Sequence, residues 1–243
     1  NCYDREYYIL CKMNNLILVR HGQSLWNLER RFTGWADIDL TGKGKTEAEF
    51  AGQLIKKLNL EFHTYFTSEL KRAINSLNII LKVLNKPEAK VIKSFKLNER
   101  HYGDLTGLNK DETIKKYGFE QVKKWRRSFD TRPPKMSSHH LYKKIIKTNI
   151  AGESLKDTLQ RVEPFYNENI KPLIDLKKNV LIVFHGNSCR ALLMKIFNIS
   201  KEKIVDFEIP TGNPLLIRFK NDLKIKDFRY LDKKRSKKIP YSF

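Results

Sequence analysis

Cysteine is scarce in this chain. The three residues, Cys2, Cys11 and Cys189, are odd in number and are not spaced as disulfide partners or metal ligands. Sparse cysteine is typical of proteins in a reducing compartment, so the sequence predicts a cytoplasmic protein. We interpret Cys189, which lies in a predicted helix, as a small buried apolar residue.

Long apolar runs are missing as well. The longest, residues 16–19 and 180–184, have the length of strands and are far shorter than the ~20 residues of a membrane helix. We therefore expect no membrane partner. Residues 1–12 have mixed charge and lack the apolar core of a signal peptide. Because Met13 comes just before the first predicted strand, we interpret residues 1–12 as a non-native or disordered extension.

Acidic residues are few relative to basic ones, with 27 Asp and Glu against 48 Lys and Arg and a formal net charge of +21. Such a charge favours anionic partners: nucleic acid, acidic membranes or phosphorylated metabolites. Most lysines are spread along the chain and are expected to form a solvated surface. Since no basic stripe with interleaved aromatic residues recurs along one element, we expect no nucleic acid partner. The basic tail, residues 233–243, is interpreted as a mobile, solvated end; the alternative is that it closes over an anionic ligand.

The order of strands and helices predicts the fold class. A chain of 243 residues, 40% of them hydrophobic, suits one sizeable catalytic α/β domain, which we assign to residues 13–232. Apolar patterns predict strands at residues 15–19, 65–67, 91–92, 179–184, 215–219 and about 226–230, and helices at about 41–58, 70–84, 154–170 and 188–197. A polar stretch at about residues 97–153 is predicted to be an insertion of short helices and loops. The alternation predicts a three-layer αβα fold, with helices on both faces of a mainly parallel sheet.

Two histidines follow two of the predicted strands. His21 comes after the first strand and His185 after the fourth, and each is followed by a glycine. Ligands of parallel sheets bind beyond the carboxyl ends of the strands, so we expect these side chains to meet there. A neutral imidazole can take a phosphoryl group covalently, and the guanidinium groups of Arg20 and Arg72 suit its oxygens. The pattern favours phosphoryl transfer, although a single histidine after a strand is more often a core or capping residue.

Motifs along nearly the whole chain resemble a known family. The motif LVRHGQS at residues 18–24 is similar to the signature of the histidine phosphatase superfamily. Further motifs resemble cofactor-dependent phosphoglycerate mutases, in order from about residue 15 to residue 230. They are WN (26–27), FTGW (32–35), LNERHYG (97–103), LTGLNK (105–110), WRRSFD (125–130), ESLKDT (153–158), HGNS (185–188) and IPTG (209–212).

The resemblance implies an activity and a set of site residues. The activity is interconversion of 2- and 3-phosphoglycerate in glycolysis and gluconeogenesis, primed by 2,3-bisphosphoglycerate and without a metal. His21 would be the phosphorylated nucleophile and Glu99 the general acid/base, while Arg20, Arg72 and His185 would hold the moving phosphoryl group. The small phosphorylated carboxylate substrates would contact Ser24, Asn27, Thr33, Gly34, Tyr102, Lys110, Arg126, Arg127, Gly186 and Asn187. Members of the family are commonly dimers or tetramers, so a homodimer or homotetramer is expected.

Simpler interpretations and rival functions stay open at this point. Ser24 and Asn27 can cap a short turn. If water enters the site, the same catalytic residues give a phosphatase, although the long insertion at residues 97–153 favours a mutase. The high net charge leaves a basic nucleic-acid-binding protein as a rival of another class. Residues 135–149 depart from the acidic, proline-rich sequence usual in the family, so the conformation of this segment over the site is not predicted.

Overall fold

The computed structural model describes residues 14–146 and 148–240, so the interpretation of residues 1–12 lies outside the described residues. A six-stranded sheet in the order β3-β2-β4-β1-β5-β6 forms the centre of the described chain. Its strands are β1 (Asn14–Arg20), β2 (Thr64–Thr67), β3 (Val91–Lys93), β4 (Val180–Phe184), β5 (Leu215–Phe219) and β6 (Ile225–Tyr230). Strands β3, β2, β4 and β1 are parallel, and β5 and β6 add an antiparallel pair at one edge. The predicted mainly parallel sheet is confirmed.

Helices cover both faces of this sheet. They are α1 (Leu25–Leu28), α2 (Gly42–Lys56), α3 (Lys71–Val83), α4 (Lys110–Tyr117), α5 (Phe119–Arg127), α6 (Leu155–Phe165), α7 (Lys171–Asp175) and α8 (Gly186–Phe197). Successive side chains of a strand point to opposite faces, so β1 contributes to two cores. Ile17 and Val19 pack in the core formed with α2 and α3, whereas Leu16 and Leu18 pack in the core formed with α6 and α8. The three-layer αβα prediction is thereby confirmed.

The register of the parallel strands brings three strand ends together. Arg20 at the end of β1 lies beside Phe184 at the end of β4. Thr67 at the end of β2 lies beside Val183 on the other side of β4. These strands are buried along their length, as their apolar sequences predict. The residues that follow β1, β2 and β4 therefore share one edge of the sheet.

The polar stretch between β3 and α6 contains the short helices α4 and α5 joined by loops. Helices α4 and α5 meet at Gly118, whose φ of 81° lies in the left-handed region that favours glycine. A small apolar cluster of Phe32, Leu105 and Val122 holds the insertion against the loop that follows β1. This packing places α5 and its arginines near the edge of the sheet that the three strand ends share.

The helical segment after the insertion is longer than predicted. Ser154 and Asp157 form the predicted capping box at the start of α6. After α6 the chain continues through a wide π-helical turn, Tyr166–Ile170, into α7. Pro172, near the start of α7, has no N–H with which to continue the α-helical hydrogen bonds, and the wide turn lies immediately before it.

The basic tail is docked on the domain over residues 233–240, where its lysines are solvated but the segment is not a free end. Arg235 donates from Nε to Asp232 at 2.7 Å and from Nη1 to the Thr211 carbonyl at 2.9 Å. Ile239 is 5% exposed and packs in the core shared with α6 and α8. One arginine and one apolar side chain thus anchor a segment whose lysines face solvent. Within the described residues, no helix has the length and apolar character needed to span a membrane.

Candidate active site

The two predicted histidines meet at the shared edge of the sheet. The His21 N–H donates to the Phe184 carbonyl at 2.9 Å, which joins the end of β1 to the end of β4. His185 occupies the position just before α8. Their ring centroids are 4.9 Å apart with an angle of 63° between the ring planes. The arrangement expected from the sequence is therefore present.

The environment of His21 favours a neutral, nucleophilic ring. His21 Nδ1 lies 2.6 Å from the Gly22 carbonyl oxygen, which can only accept, so Nδ1 carries the proton and Nε2 keeps its lone pair. Burial lowers the pKa of His21 well below 6.5, and the charges of Arg72 and Arg20 lower it further. Gly22 is required here because an added Cβ would lie 2.0 Å from the Gly44 carbonyl oxygen.

His185 lies behind His21 and is fully buried. Its Nε2 is 2.7 Å from the hydroxyl of Ser68, a residue that follows β2. Burial lowers the pKa of His185 well below 6.5, and Arg72 and His21 contribute in the same direction. Both rings are therefore neutral at physiological pH, so neither repels the other by charge.

Arg72 and Arg20 are positioned by main-chain carbonyls. Arg72, near the start of α3, is 1% exposed and donates to the carbonyls of Ala36 at 2.9 Å and Gly34 at 2.7 Å. Burial lowers its pKa to about 10, so it stays cationic at neutral pH. Arg20 donates from Nη1 to the Ile209 carbonyl at 2.7 Å, and its buried Nε has no partner among the described residues. A buried cationic N–H without a partner is a candidate ligand contact.

Glu99 lies on the insertion and faces the same edge of the sheet as the two histidines. It is 8% exposed, and its Oε1 accepts the N–H groups of Arg100 at 2.8 Å and Asn187 at 3.0 Å. An added Cβ at Gly186 would lie 3.4 Å from Arg20 Nε and 3.7 Å from Glu99 Oε2. The Arg20 guanidinium and the Glu99 carboxylate thus both lie next to the start of α8.

The outer part of the site is basic. The Tyr102 hydroxyl accepts from Arg100 Nη2 and Asn187 Nδ2, both at 3.3 Å. Burial raises the pKa of Tyr102, but the charges of Arg100 and Arg126 outweigh it and bring the pKa down to about 8. Burial lowers the pKa of Lys110 to about 8. This concentration of positive charge suits a ligand with more than one anionic group.

These side chains line one cavity of about 120 Å³. Thirteen of the predicted site residues line it, namely Arg20, His21, Asn27, Thr33, Gly34, Arg72, Glu99, Tyr102, Lys110, Arg126, Arg127, Gly186 and Asn187. His185 contributes through its contact with His21. Ser24 does not line the cavity: it is fully buried and caps α1, accepting from Asn27 N at 3.3 Å. The capping interpretation therefore describes what Ser24 does here.

Sequence reasoning missed further residues of the cavity wall. They are Arg31, Phe32, Arg190, Glu208 and Ile209. The place of Arg190 in the cavity wall could be inferred from the sequence. It lies three residues after Asn187 and four after Gly186 on α8, so it shares their helix face. Glu208 forms an ion pair with Arg127 across 81 residues of sequence, and no local pattern indicates such a contact.

The described residues contain no group of three or more histidine, cysteine, aspartate or glutamate side chains placed to hold a metal ion. The expectation of a reaction without a metal stays a prediction. Cys189, near the rings, is 1% exposed and packs in the core, as predicted.

Comparisons with known proteins agree with this geometry. Residues 16–226 match the model of the histidine phosphatase superfamily (branch 1). Two bacterial relatives are named 2,3-bisphosphoglycerate-dependent phosphoglycerate mutase. The protein from Maricaulis maris is 46% identical over 94% of this chain and 98% of its own length. The protein from Pelagibacter ubique is 47% identical over 93% of this chain and 99% of its own length. A solved mycobacterial glucosyl-3-phosphoglycerate phosphatase with VO3 shares the fold, with a TM-score of 0.69 at 22% identity over 89% of this chain and 96% of that one.

The chain therefore belongs to the histidine phosphatase superfamily, and within it to the family of these bacterial relatives. Those relatives are matched over nearly their whole length, so the similarity includes both the sheet and the insertion that carries Glu99, Arg126 and Arg127.

Proposed function

We propose that this enzyme interconverts 2- and 3-phosphoglycerate through a phosphohistidine at His21, primed by 2,3-bisphosphoglycerate. The observation that carries the proposal is the neutral His21, with Nε2 unprotonated, beside His185 and close to the buried Arg72 and the half-buried Arg20. The names of the bacterial relatives, at 46 to 47% identity over most of the chain, support the same activity.

The cavity suits a small ligand with several anionic groups. Seven basic side chains line it, and two carboxylates, those of Glu99 and Glu208, oppose them. Arg20 Nε and Arg190 Nε, on two of these lining residues, are buried without partners among the described residues. Buried N–H groups of this kind are normally hydrogen-bonded, which supports anionic oxygens as their partners. Phosphate and carboxylate groups of one bisphosphate fit this set of donors.

The positions of the side chains support phosphoryl transfer at this site. When bound, 2,3-bisphosphoglycerate supplies the phosphoryl group that primes His21. The hydroxyl oxygen of a phosphoglycerate then attacks the phosphorus, the bond from phosphorus to His21 Nε2 breaks, and Glu99 takes the hydroxyl proton. In the second half, His21 Nε2 attacks the other phosphorus, and Glu99 returns the proton to the departing oxygen. Arg20, Arg72 and His185 stabilise the charge on the transferred group throughout.

The two carboxylate oxygens of Glu99 have different environments. Oε1 is held by two main-chain N–H groups, whereas no described residue bonds Oε2, which lies toward Gly186 and Arg20. Oε2 is thus the oxygen that exchanges a proton with substrate. The outer groups Lys110, Arg126 and Arg127 bind the substrate's carboxylate and second phosphate, and so exclude water from the phosphorylated histidine.

Assembly and location are also proposals. The family resemblance supports a homodimer or homotetramer, and the scarcity of cysteine supports a cytoplasmic location.

A coupled assay with and without 2,3-bisphosphoglycerate tests the proposed function. We expect conversion of 3- to 2-phosphoglycerate that depends on the bisphosphate, with little release of inorganic phosphate. Release of phosphate without isomerisation would overturn the mutase in favour of a phosphatase. Retention on DNA that weakens with salt, without activity on phosphoglycerate, would instead revive the nucleic-acid-binding alternative.

A further inference from the structure

Glu99 lies on a segment without helix or strand, so regular main-chain hydrogen bonds do not fix its position. Its carbonyl oxygen instead accepts two side-chain donors. Trp35 Nε1 donates at 2.5 Å and Arg161 Nη2, from α6, donates at 2.9 Å. The Arg161 guanidinium also lies 5.7 Å from the centre of the Trp35 ring. Both donors thus meet at the main chain of the residue proposed to move the proton.

Arg161 is itself held by Glu153 in a buried, two-bonded ion pair. Nε donates to Oε1 at 2.7 Å and Nη2 to Oε2 at 2.9 Å. The side chains are 9% and 4% exposed, respectively. Two parallel bonds between a guanidinium and a carboxylate restrict both position and orientation, which a single lysine contact does not.

The Arg161–Glu153 pair also hydrogen-bonds to the main chain on both sides of Glu99. Arg161 Nη1 donates to the Lys96 carbonyl at 2.7 Å. Glu153 Oε2 accepts the His101 N–H at 2.9 Å, and the Glu153 N–H donates to the His101 carbonyl at 2.8 Å. The pair therefore replaces the main-chain bonds that a strand would supply to this segment.

We propose that Arg161 and Glu153 are positioning residues that set where the Glu99 carboxylate lies relative to the phosphoryl group on His21. Neither lines the cavity, so they act through the main chain of Glu99 and not on the substrate. A displacement of about 1 Å in a reacting group can cost ~100-fold in rate. The inference rests on the proposed function, because it assigns proton transfer to Glu99.

Two phosphoryl donors separate positioning from a merely structural role. Transfer to His21 from 2,3-bisphosphoglycerate expels an alkoxide, which needs a proton from Glu99 as it leaves. Transfer from acetyl phosphate expels acetate, which is stable as an anion and needs none. A misplaced Glu99 therefore slows the first reaction and spares the second, whereas general damage to the site slows both.

The test measures single-turnover phosphorylation of His21 with both donors in two variants. Arg161→Lys keeps the charge and loses the paired bonds. Glu153→Gln keeps the shape of the side chain and loses its charge. We expect a 10- to 100-fold loss with the bisphosphate and less than about threefold with acetyl phosphate in each. Glu99→Gln should show the same pattern. Arg132→Lys is the matched control, because Arg132 pairs in the same two-bonded way with Asp157 at an exposed site, and it should change neither rate.

Equal losses with both donors, or no loss with either, would overturn the positioning role. Breaking a buried ion pair can destabilise a protein strongly, so circular dichroism at the assay temperature checks that each variant is folded. One folded variant is enough to decide the question. If the wild-type protein takes no phosphoryl group from the bisphosphate, the proposed function fails. If the wild-type protein is phosphorylated and the two variants match it with both donors, only the positioning role fails.

Discussion

The imidazole rings of His21 and His185 lie with their centroids 4.9 Å apart, and both are buried close to Arg72 and Arg20. A pair of imidazolium ions so close together would repel strongly. The low pKa of each ring avoids this repulsion, because both are neutral at pH 7. Neutrality is also what a nucleophilic histidine needs before it accepts a phosphoryl group.

An NMR titration checks the protonation of these rings directly. Because burial and the nearby arginines lower both pKa values well below 6.5, the ring resonances of His21 and His185 should stay constant from pH 8 to pH 6. Assignment comes from His21→Asn and His185→Asn variants. A midpoint near pH 6.5 for either ring would contradict the neutral pair.

Glu99→Gln should lower kcat by about 10²- to 10⁴-fold and change KM little, because the amide keeps the shape of the side chain but cannot exchange a proton. Steady-state kinetics with 3-phosphoglycerate and saturating bisphosphate measure both constants. Glu49→Gln is the control, since Glu49 is exposed on α2 and its loss should leave both constants unchanged. A Glu99→Gln enzyme with wild-type kcat would remove Glu99 from the mechanism.

Glu208→Gln should lower KM for phosphoglycerate, up to about fivefold. Glu208 pairs with Arg127 at the wall of the cavity, so an anionic substrate must compete with its carboxylate. Partly exposed pairs of this kind contribute ~0.2–1 kcal/mol, which limits the effect. Asp206→Asn is the matched control, because it removes the same charge from the same loop but from a pair with Lys123. Equal KM changes in both variants would mean a general charge effect and not release of Arg127.

The stability of the fold should fall with acid partly through His101. Burial lowers the pKa of His101 to about 4, although Glu153 opposes the shift. Between pH 6.5 and 4 the unfolded chain binds a proton at this position that the native chain does not, so the free energy of unfolding falls as pH falls. At ~1.4 kcal/mol per pKa unit, the loss approaches about 3 kcal/mol near pH 4.

Denaturant unfolding from pH 7.5 to pH 4.5 measures that slope. His101→Asn should lose stability less steeply over this range than the wild-type protein, because one of its proton-linked groups is gone. Parallel curves for the two proteins would show that His101 is not among the groups that titrate on unfolding.

Local sequence patterns predicted the parts of the fold that local physics controls. The buried strand at residues 180–184 is apolar on both faces, and the capping box of Ser154 and Asp157 needs only residues three apart. Both are present as predicted. The proximity of His21 and His185 was predictable for a related reason, since the carboxyl ends of parallel strands meet by topology alone.

Contacts between distant residues were not predictable from such patterns. Arg235 belongs to the tail that the sequence indicates to be a mobile end. Its contacts leave no sequence pattern, because its partners, Asp232 aside, are main-chain carbonyls that only folding brings close. The ion pair of Arg127 with Glu208 likewise depends on how the insertion docks.

The most direct test of the account maps the phosphoryl adduct. The protein is incubated with labelled 2,3-bisphosphoglycerate, digested under alkaline conditions that preserve phosphohistidine, and sequenced by mass spectrometry, with a folded His21→Ala variant in parallel. We expect one acid-labile label, on His21, and none in the variant. A label on another residue, or a labelled His21→Ala protein, would contradict it.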